Sequence, residues 1–281
     1  MTVFRSTRRV RHLTLAFMRT GLSGLGPRAH PEIDDALARL NAAIAAAPSA
    51  AALYLERGEL YARHEDWVAA EANYLRADEI APTLPRLATL RGALALATGH
   101  AAEAKTYLDL ALSRAPDDLE AFILRARTHA ALGARTAARR DYDAALAHAT
   151  APAPDLFLER AALLPADEAI RSLDEGVARL GSVVTLHLRA LALEESLGRI
   201  DAAAARLEQL AAQSERSDSW LKRRGDLLAR AGRMVEARAA YAAALSAIVS
   251  LPDWLRAAPE TAKLTTELVR LGGSPPQKYY P

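Results

Sequence analysis

The sequence contains no cysteine among its 281 residues. That excludes disulfide bonds, thiolate metal ligands, a thiol nucleophile and a lipid-modified N-terminal cysteine. It leaves the compartment open. Lysine is almost as scarce. Only Lys105, Lys222, Lys263 and Lys278 occur among the 36 basic residues, and the rest are arginine. Aromatic residues make up 5% of the chain. No apolar run approaches the ~18 residues needed to span a bilayer. A large charge of either sign is also missing. The formal net charge of +2 gives no reason to expect nucleic acid or another polyanion as a partner.

What is abundant is alanine and leucine, which carry most of the 51% apolar fraction. Both cost little in a helix, so the composition favours helix throughout, and small alanine side chains let helices approach closely. The charge is unevenly distributed. Residues 1–29 hold Arg5, Arg8, Arg9, Arg11, Arg19 and Arg28 and no acid, which leaves the rest of the chain at −4. This leader (1–30) has a basic start, an apolar stretch from Leu13 to Met18, and small residues up to Ala29. That order is similar to an export signal, and Thr7-Arg8-Arg9 loosely to a twin-arginine signal. Arg19 interrupts the apolar centre and Pro27 lies near the possible cut. The other reading is a disordered basic leader, so exported (periplasmic) and cytoplasmic locations both stay open.

Helix signals start at Pro31-Glu32, where Pro suits a first turn and Glu32, Asp34 and Asp35 suit a helix N-terminus. Ile33, Leu37, Leu40 and Ile44 follow at helical spacing. The stretch that organises the rest is Tyr54 to Pro82. It predicts one helix over Ala51–Arg63 and a second over Trp67–Ile80, with Asp66 as N-cap and Pro82 as stop. In steps of 34, Arg57 leads to Arg91 and Arg125, and Gly58 to Gly92 and Ala126. Likewise Ala70 leads to Ala104 and Ala138, Tyr74 to Leu108 and Tyr142, and Pro82 to Pro116. Turn glycines stand at Gly99 and Gly133.

This spacing of an aromatic, Gly and Tyr, then Ala and an aromatic, then Pro, resembles the tetratricopeptide repeat. Tyr54 occupies the family's usual Trp slot, and Arg57 its usual Leu slot. The resemblance implies an all-α, right-handed α-solenoid of helix-turn-helix repeats. The expected order is a half repeat (31–50) and six units (51–84, 85–118, 119–152, 153–182, 183–217 and 218–251). A capping helix (252–273) and a disordered tail (274–281) follow. The fourth unit is short. Only 8 steps separate Ala161 from Ala169 where Gly58 to Ala70 takes 12, so one helical turn is missing, after the stiff linker Ala151-Pro152-Ala153-Pro154. The fifth unit carries Leu186, Arg189, Ala190, Leu193, Gly198 and Ala203, and the superhelix is expected to change near Pro165.

No catalytic constellation emerges. The seven His are scattered and none pairs with a second His and a Glu as in a helical zinc site. Adjacent acids such as Asp34-Asp35 and Glu194-Glu195 point about 100° apart on a helix and are not preset acid/base pairs. The chain is read as no enzyme, with no cofactor and no metal. Its most unusual feature is an arginine in one slot of six units: Arg57, Arg91, Arg125, Arg160, Arg189 and Arg224. One reading is a basic ladder open to carboxylate or phosphate. The other is structural, with each stem buried and each head paired to an acid on a neighbouring helix such as Asp141 or Glu79.

In repeats of this kind the first helices line the concave side. On them the face opposite the packing landmarks offers Glu59, Arg63, Arg86, Glu120, Arg127, His187, Glu194, Lys222, Asp226 and Arg230. The resemblance implies a non-catalytic scaffold that binds a peptide segment or partner helix of another protein in this groove. Two alternatives are an exported assembly factor or adaptor of an envelope complex, and a self-associating repeat protein.

Overall fold

The computed structural model describes residues 31–272. The leader before residue 31 and the tail after 272 lie outside the described residues. Among these the chain is helical throughout, with fifteen helices and no strand. A lone helix, α1 (Pro31–Ala46), comes first. Five helix pairs follow in chain order: α2 (Ala51–Arg63) with α3 (Trp67–Ile80), α4 (Leu87–Ala97) with α5 (Ala101–Arg114), α6 (Leu119–Ala131) with α7 (Arg135–His148), α8 (Pro154–Ala162) with α9 (Ala166–Leu180), and α10 (Val184–Ser196) with α11 (Ile200–Ala212). The last pair is α12 (Ser217–Arg230) with α13 (Met234–Val249). A short α14 (Asp253–Arg256) and α15 (Pro259–Arg270) come last among the described residues.

Each helix packs on its neighbours in sequence. First helices also meet across units, α2 with α4, α4 with α6 and α8 with α10. Such side-by-side contact of first helices curves the stack toward them, so they line its concave face. Apolar residues of neighbouring units merge into the core. Tyr74, Leu108, Tyr142, Leu173, Leu207 and Tyr241 lie on the inward faces of the second helices and are at most 2% exposed. At the far end Leu268 of α15 is fully buried in the cluster that holds Leu228, Tyr241 and Ile248, so α15 covers the last open core.

The turns inside most units share one geometry. Gly99, Gly133, Gly198 and Gly232 all have positive φ, between 68° and 84°. The residue after each glycine donates its N–H to a carbonyl five residues back, as in His100 to Ala95 at 2.7 Å and Arg233 to Leu228 at 2.9 Å. This is a helix C-terminal cap that needs the left-handed region, where glycine pays no steric penalty. In the first pair the same bond runs from Asp66 to Tyr61 at 3.0 Å, but the left-handed residue is Glu65, with φ of 60°. A non-glycine residue there costs about 1–2 kcal/mol. Glu65→Gly is therefore expected to raise stability by about 1 kcal/mol. A urea titration followed by circular dichroism checks it, and a lower midpoint for the variant contradicts it.

The fourth unit is the irregular one. Helix α8 has nine residues, against 11 to 14 for the other first helices, and the turn to α9 is closed by Pro165 and not by a left-handed glycine. The connection from α7 into α8 runs through Ala149 and Ala153, both extended, with Pro152 and Pro154 in fixed φ. Four prolines and alanines in a row give a stiff, nearly straight spacer.

Candidate functional site

The arginine slot builds a repeated three-helix junction. Each guanidinium sits where a first helix meets the second helix of its own unit and the second helix of the unit before. Arg57 of α2 donates to Asn73 on α3 at 2.8 Å and to Asn41 on α1 at 2.6 Å. Arg125 of α6 holds Asp141 on α7 through two bonds, at 2.9 and 2.8 Å, and Asp109 on α5 at 2.9 Å. Arg160 of α8 reaches Ser172 and Glu175 on α9, at 2.9 and 2.5 Å, and Asp143 on α7 at 3.2 Å. Arg91 of α4 pairs with Asp78 on α3 at 2.8 Å and stacks on the Tyr107 ring of α5, 4.4 Å from its centre. Glu79, a candidate partner from sequence, pairs with Arg76 at 2.7 Å instead. Arg224 of α12 is the loosest, with Glu208 on α11 at 3.5 Å.

The fifth unit departs from the expected ladder. Arg189 is exposed, while Arg206, on the second helix α11, is 7% exposed and takes over the junction. It grips Glu194 on α10 at 2.9 and 2.6 Å and Asp174 on α9 at 2.9 Å. The polarity is reversed, with the acid on the first helix and the base on the second. The reason lies in the register. Counting back from the turn glycine, Gly198 aligns Ala190 with Arg57 and Leu191 with Gly58, so Arg189 stands one residue early. One residue is about 100° of helix rotation, enough to turn Arg189 out to solvent.

The same slip corrects two groove candidates. His187 falls in the Tyr54 slot and Glu194 in the Tyr61 slot. Both are enclosed, at 1% and 4% exposure, and neither faces a groove. The other eight sit as follows. Arg86 bridges Glu59 on α2 and Glu120 on α6, at 3.2 and 3.3 Å. Arg127 forms a two-bond pair with Glu159 on α8, both at 2.9 Å, and Glu159 also accepts the Tyr142 hydroxyl at 2.5 Å. Lys222 joins Asp226 at 2.9 Å and Glu267 on the capping helix at 3.1 Å. Asp226 also accepts the Tyr241 hydroxyl at 3.0 Å, and burial followed by that bond pushes Tyr241 up to about 12. Arg230 approaches Glu195 at 3.6 Å, and Arg63 lies exposed at the end of α2. The structure thus brings most groove charges together in pairs that tie one first helix to the next.

Between α6 and α8 this face opens into a cleft of about 630 Å³. Its walls are Leu119, Ile123, Leu124 and Leu156, and its floor runs along the Ala149–Ala153 linker. Sequence reasoning named two of its rim residues, Glu120 and Arg127, but not the cleft. Among the described residues no group of three or more His, Asp and Glu is placed to hold a metal ion. No helix among them is long and apolar enough to cross a membrane.

The tetratricopeptide repeat family profile matches residues 29–85 and 188–251, the start and the end of the same stack. The chain is a tetratricopeptide repeat protein. Solved structures with the same fold include PilW, described as a widely conserved type IV pilus biogenesis factor, at 21% identity and a TM-score of 0.57 over 65% of this chain and 86% of PilW. A tetratricopeptide repeat protein from Parabacteroides merdae aligns over 86% of this chain and 93% of its own, at 19% identity and a TM-score of 0.52. PilF of Pseudomonas aeruginosa aligns over 64% and 83%, at 19% identity and a TM-score of 0.54. No curated protein sequence matches the chain.

His187 gives this tetratricopeptide repeat protein a pH-sensitive point in its fifth unit. Its Nδ1 is buried without a partner, and its Nε2 stands 3.4 Å from the Ser182 hydroxyl. Burial first, and the Arg206 charge second, hold the imidazole below its usual range, against opposing effects of Asp174 and Glu194. The neutral ring is the form the fold prefers. The unfolded chain therefore binds the proton more readily, and stability is lost as pH falls below about 6.5 toward the lowered folded value. Urea midpoints between pH 7.5 and 5.5 are expected to drop for the native chain and to drop less for His187→Gln. Parallel curves for the two contradict this.

Proposed function

We propose that this solenoid is a non-catalytic scaffold that holds a peptide segment or helix of another protein against its concave face. The observation that carries the reading is the cleft between α6 and α8, an apolar recess on a face otherwise occupied by paired charges. A recess of this size lies within the about 300–1,000 Å³ of ligand-binding pockets. Arg57, Arg91, Arg125 and Arg160 spend their guanidinium groups on neighbouring helices of the stack, so we assign them to bracing the repeats. Arg125→Ala is then expected to lower the melting temperature and leave partner binding per folded molecule unchanged.

Affinity capture with the full chain tests the scaffold reading. Partners are expected to be retained by the native chain and by an outer-face variant, Leu75→Arg, and lost with Arg127→Glu combined with Glu120→Arg. Equal capture by all three, or a turnover that survives loss of the concave charges, contradicts it. A narrower reading is an exported adaptor of an envelope complex. It is favoured by the six arginines and absent acids of residues 1–29. N-terminal sequencing of the mature protein from its native cell decides it, since an intact Met1 removes export.

A further inference from the structure

We infer that the cleft between α6 and α8 takes one kind of occupant: a segment of a partner protein with clustered apolar side chains flanked by lysine or arginine. This rests on the scaffold reading above and names the chemistry of its ligand. The walls call for apolar side chains. Leu119, Ile123, Leu124 and Leu156 face the recess with Ala149, Ala151, Pro152 and Ala153, and a polar chain entering there loses water without gaining partners.

The rim calls for positive charge. Asp118, Glu120 and Asp155 stand around the cleft, and Arg127 is the one base that lines it. Arg127 is already spent, held by two bonds to Glu159. Asp118 caps α6 through the Ala121 N–H at 3.1 Å and accepts the Thr89 hydroxyl at 2.8 Å, and neither donor is a base. Glu120 has only the long contact to Arg86, at 3.3 Å. Asp155, exposed in the first turn of α8, has no ion-pair partner among the described residues. A carboxylate ring around an apolar floor attracts a cationic segment and repels an acidic one. The Ala-Pro-Ala-Pro linker that lines the recess occurs once in the sequence, so the recess belongs to this unit and not to the repeat in general.

The test uses the full chain and three labelled 12-residue synthetic peptides: one of leucine and lysine, one of leucine and glutamate, one of serine and lysine. Binding is read by fluorescence anisotropy. The leucine–lysine peptide is expected to bind one to one, at least about tenfold more tightly than either control. Its affinity is expected to fall on raising salt from about 50 to 300 mM, because the rim charges are exposed. Ala151 is exposed in the linker, so Ala151→Trp fills the mouth without touching the core and is expected to reduce binding about tenfold. Asp155→Lys is expected to reduce it about fivefold. Equal binding of the leucine–glutamate peptide, or unchanged binding by both variants, overturns the assignment. If a captured partner binds Ala151→Trp normally but fails with the Arg127→Glu, Glu120→Arg variant, the scaffold reading stands and the cleft assignment falls.

Discussion

Arg206→Leu is expected to destabilise the fifth and sixth units by about 3–5 kcal/mol, the cost of leaving a buried charge without its partner. Glu194, the stranded carboxylate, is 4% exposed and faces no other base at bonding distance. Water cannot reach it to compensate. The cost belongs to the broken pair and not to the pair itself, since two charges withdrawn from water gain little over apolar groups of similar volume. The double replacement Arg206→Leu with Glu194→Leu is therefore expected to recover most of the loss. Asp174, half exposed, remains hydrated in both variants. Arg189→Leu, at the position the repeat spacing singles out, is expected to change stability by less than about 0.5 kcal/mol. Trp220 packs against the core shared by α11, α12 and α13, so its fluorescence in urea reports on these units. Equal effects of Arg189→Leu and Arg206→Leu contradict the exchanged junction.

The second large effect is expected at Gly225. A side chain there points at the Tyr241 ring, with a Cβ only 2.3 Å from Cε1 and 2.5 Å from Cδ1. The ring cannot retreat. It is 1% exposed, wedged between α12 and α13, and its hydroxyl is held by Asp226 at 3.0 Å. Gly225→Val forces the two helices apart and is expected to cost about 3 kcal/mol, the upper part of the overpacking range. Tyr241→Ala leaves a cavity and is expected to cost about 3–5 kcal/mol. Because each change relieves what the other creates, the double variant is expected to be more stable than the sum of the two predicts, by about 1–3 kcal/mol. Strict additivity contradicts the close approach.

Much of this architecture is legible in the sequence because a solenoid repeats its local rules. Pro82, Asp66 and the 34-residue step locate helix ends without knowledge of distant contacts. The misplacements of Arg189, His187 and Glu194 have a single source in the fifth unit. Taking Ala190 as the small packing residue sets the register one residue early, and that places Arg189 at a junction and His187 and Glu194 in a groove. Gly198, whose positive φ ties it to one position in the turn, gives the register the structure adopts. The glycine is the safer landmark because a backbone conformation constrains it, whereas alanine tolerates many places in a helix. Glu65 shows the converse, a left-handed turn position hidden by a residue type that rarely adopts it. Of the α6–α8 cleft, only the Ala-Pro linker that lines it is legible in the sequence. Its volume depends on how far two helices from different units diverge, which no single unit encodes.

The proposed partner surface is the concave face. Hydroxyl-radical footprinting of the full chain, with and without its captured partner, tests that most directly. Protection is expected at Leu119 and Ile123 on α6, with no change at Leu75, Leu110 and Val235, which are exposed on second helices. Protection confined to Leu75, Leu110 and Val235, with the cleft residues still oxidised at the free rate, would contradict it.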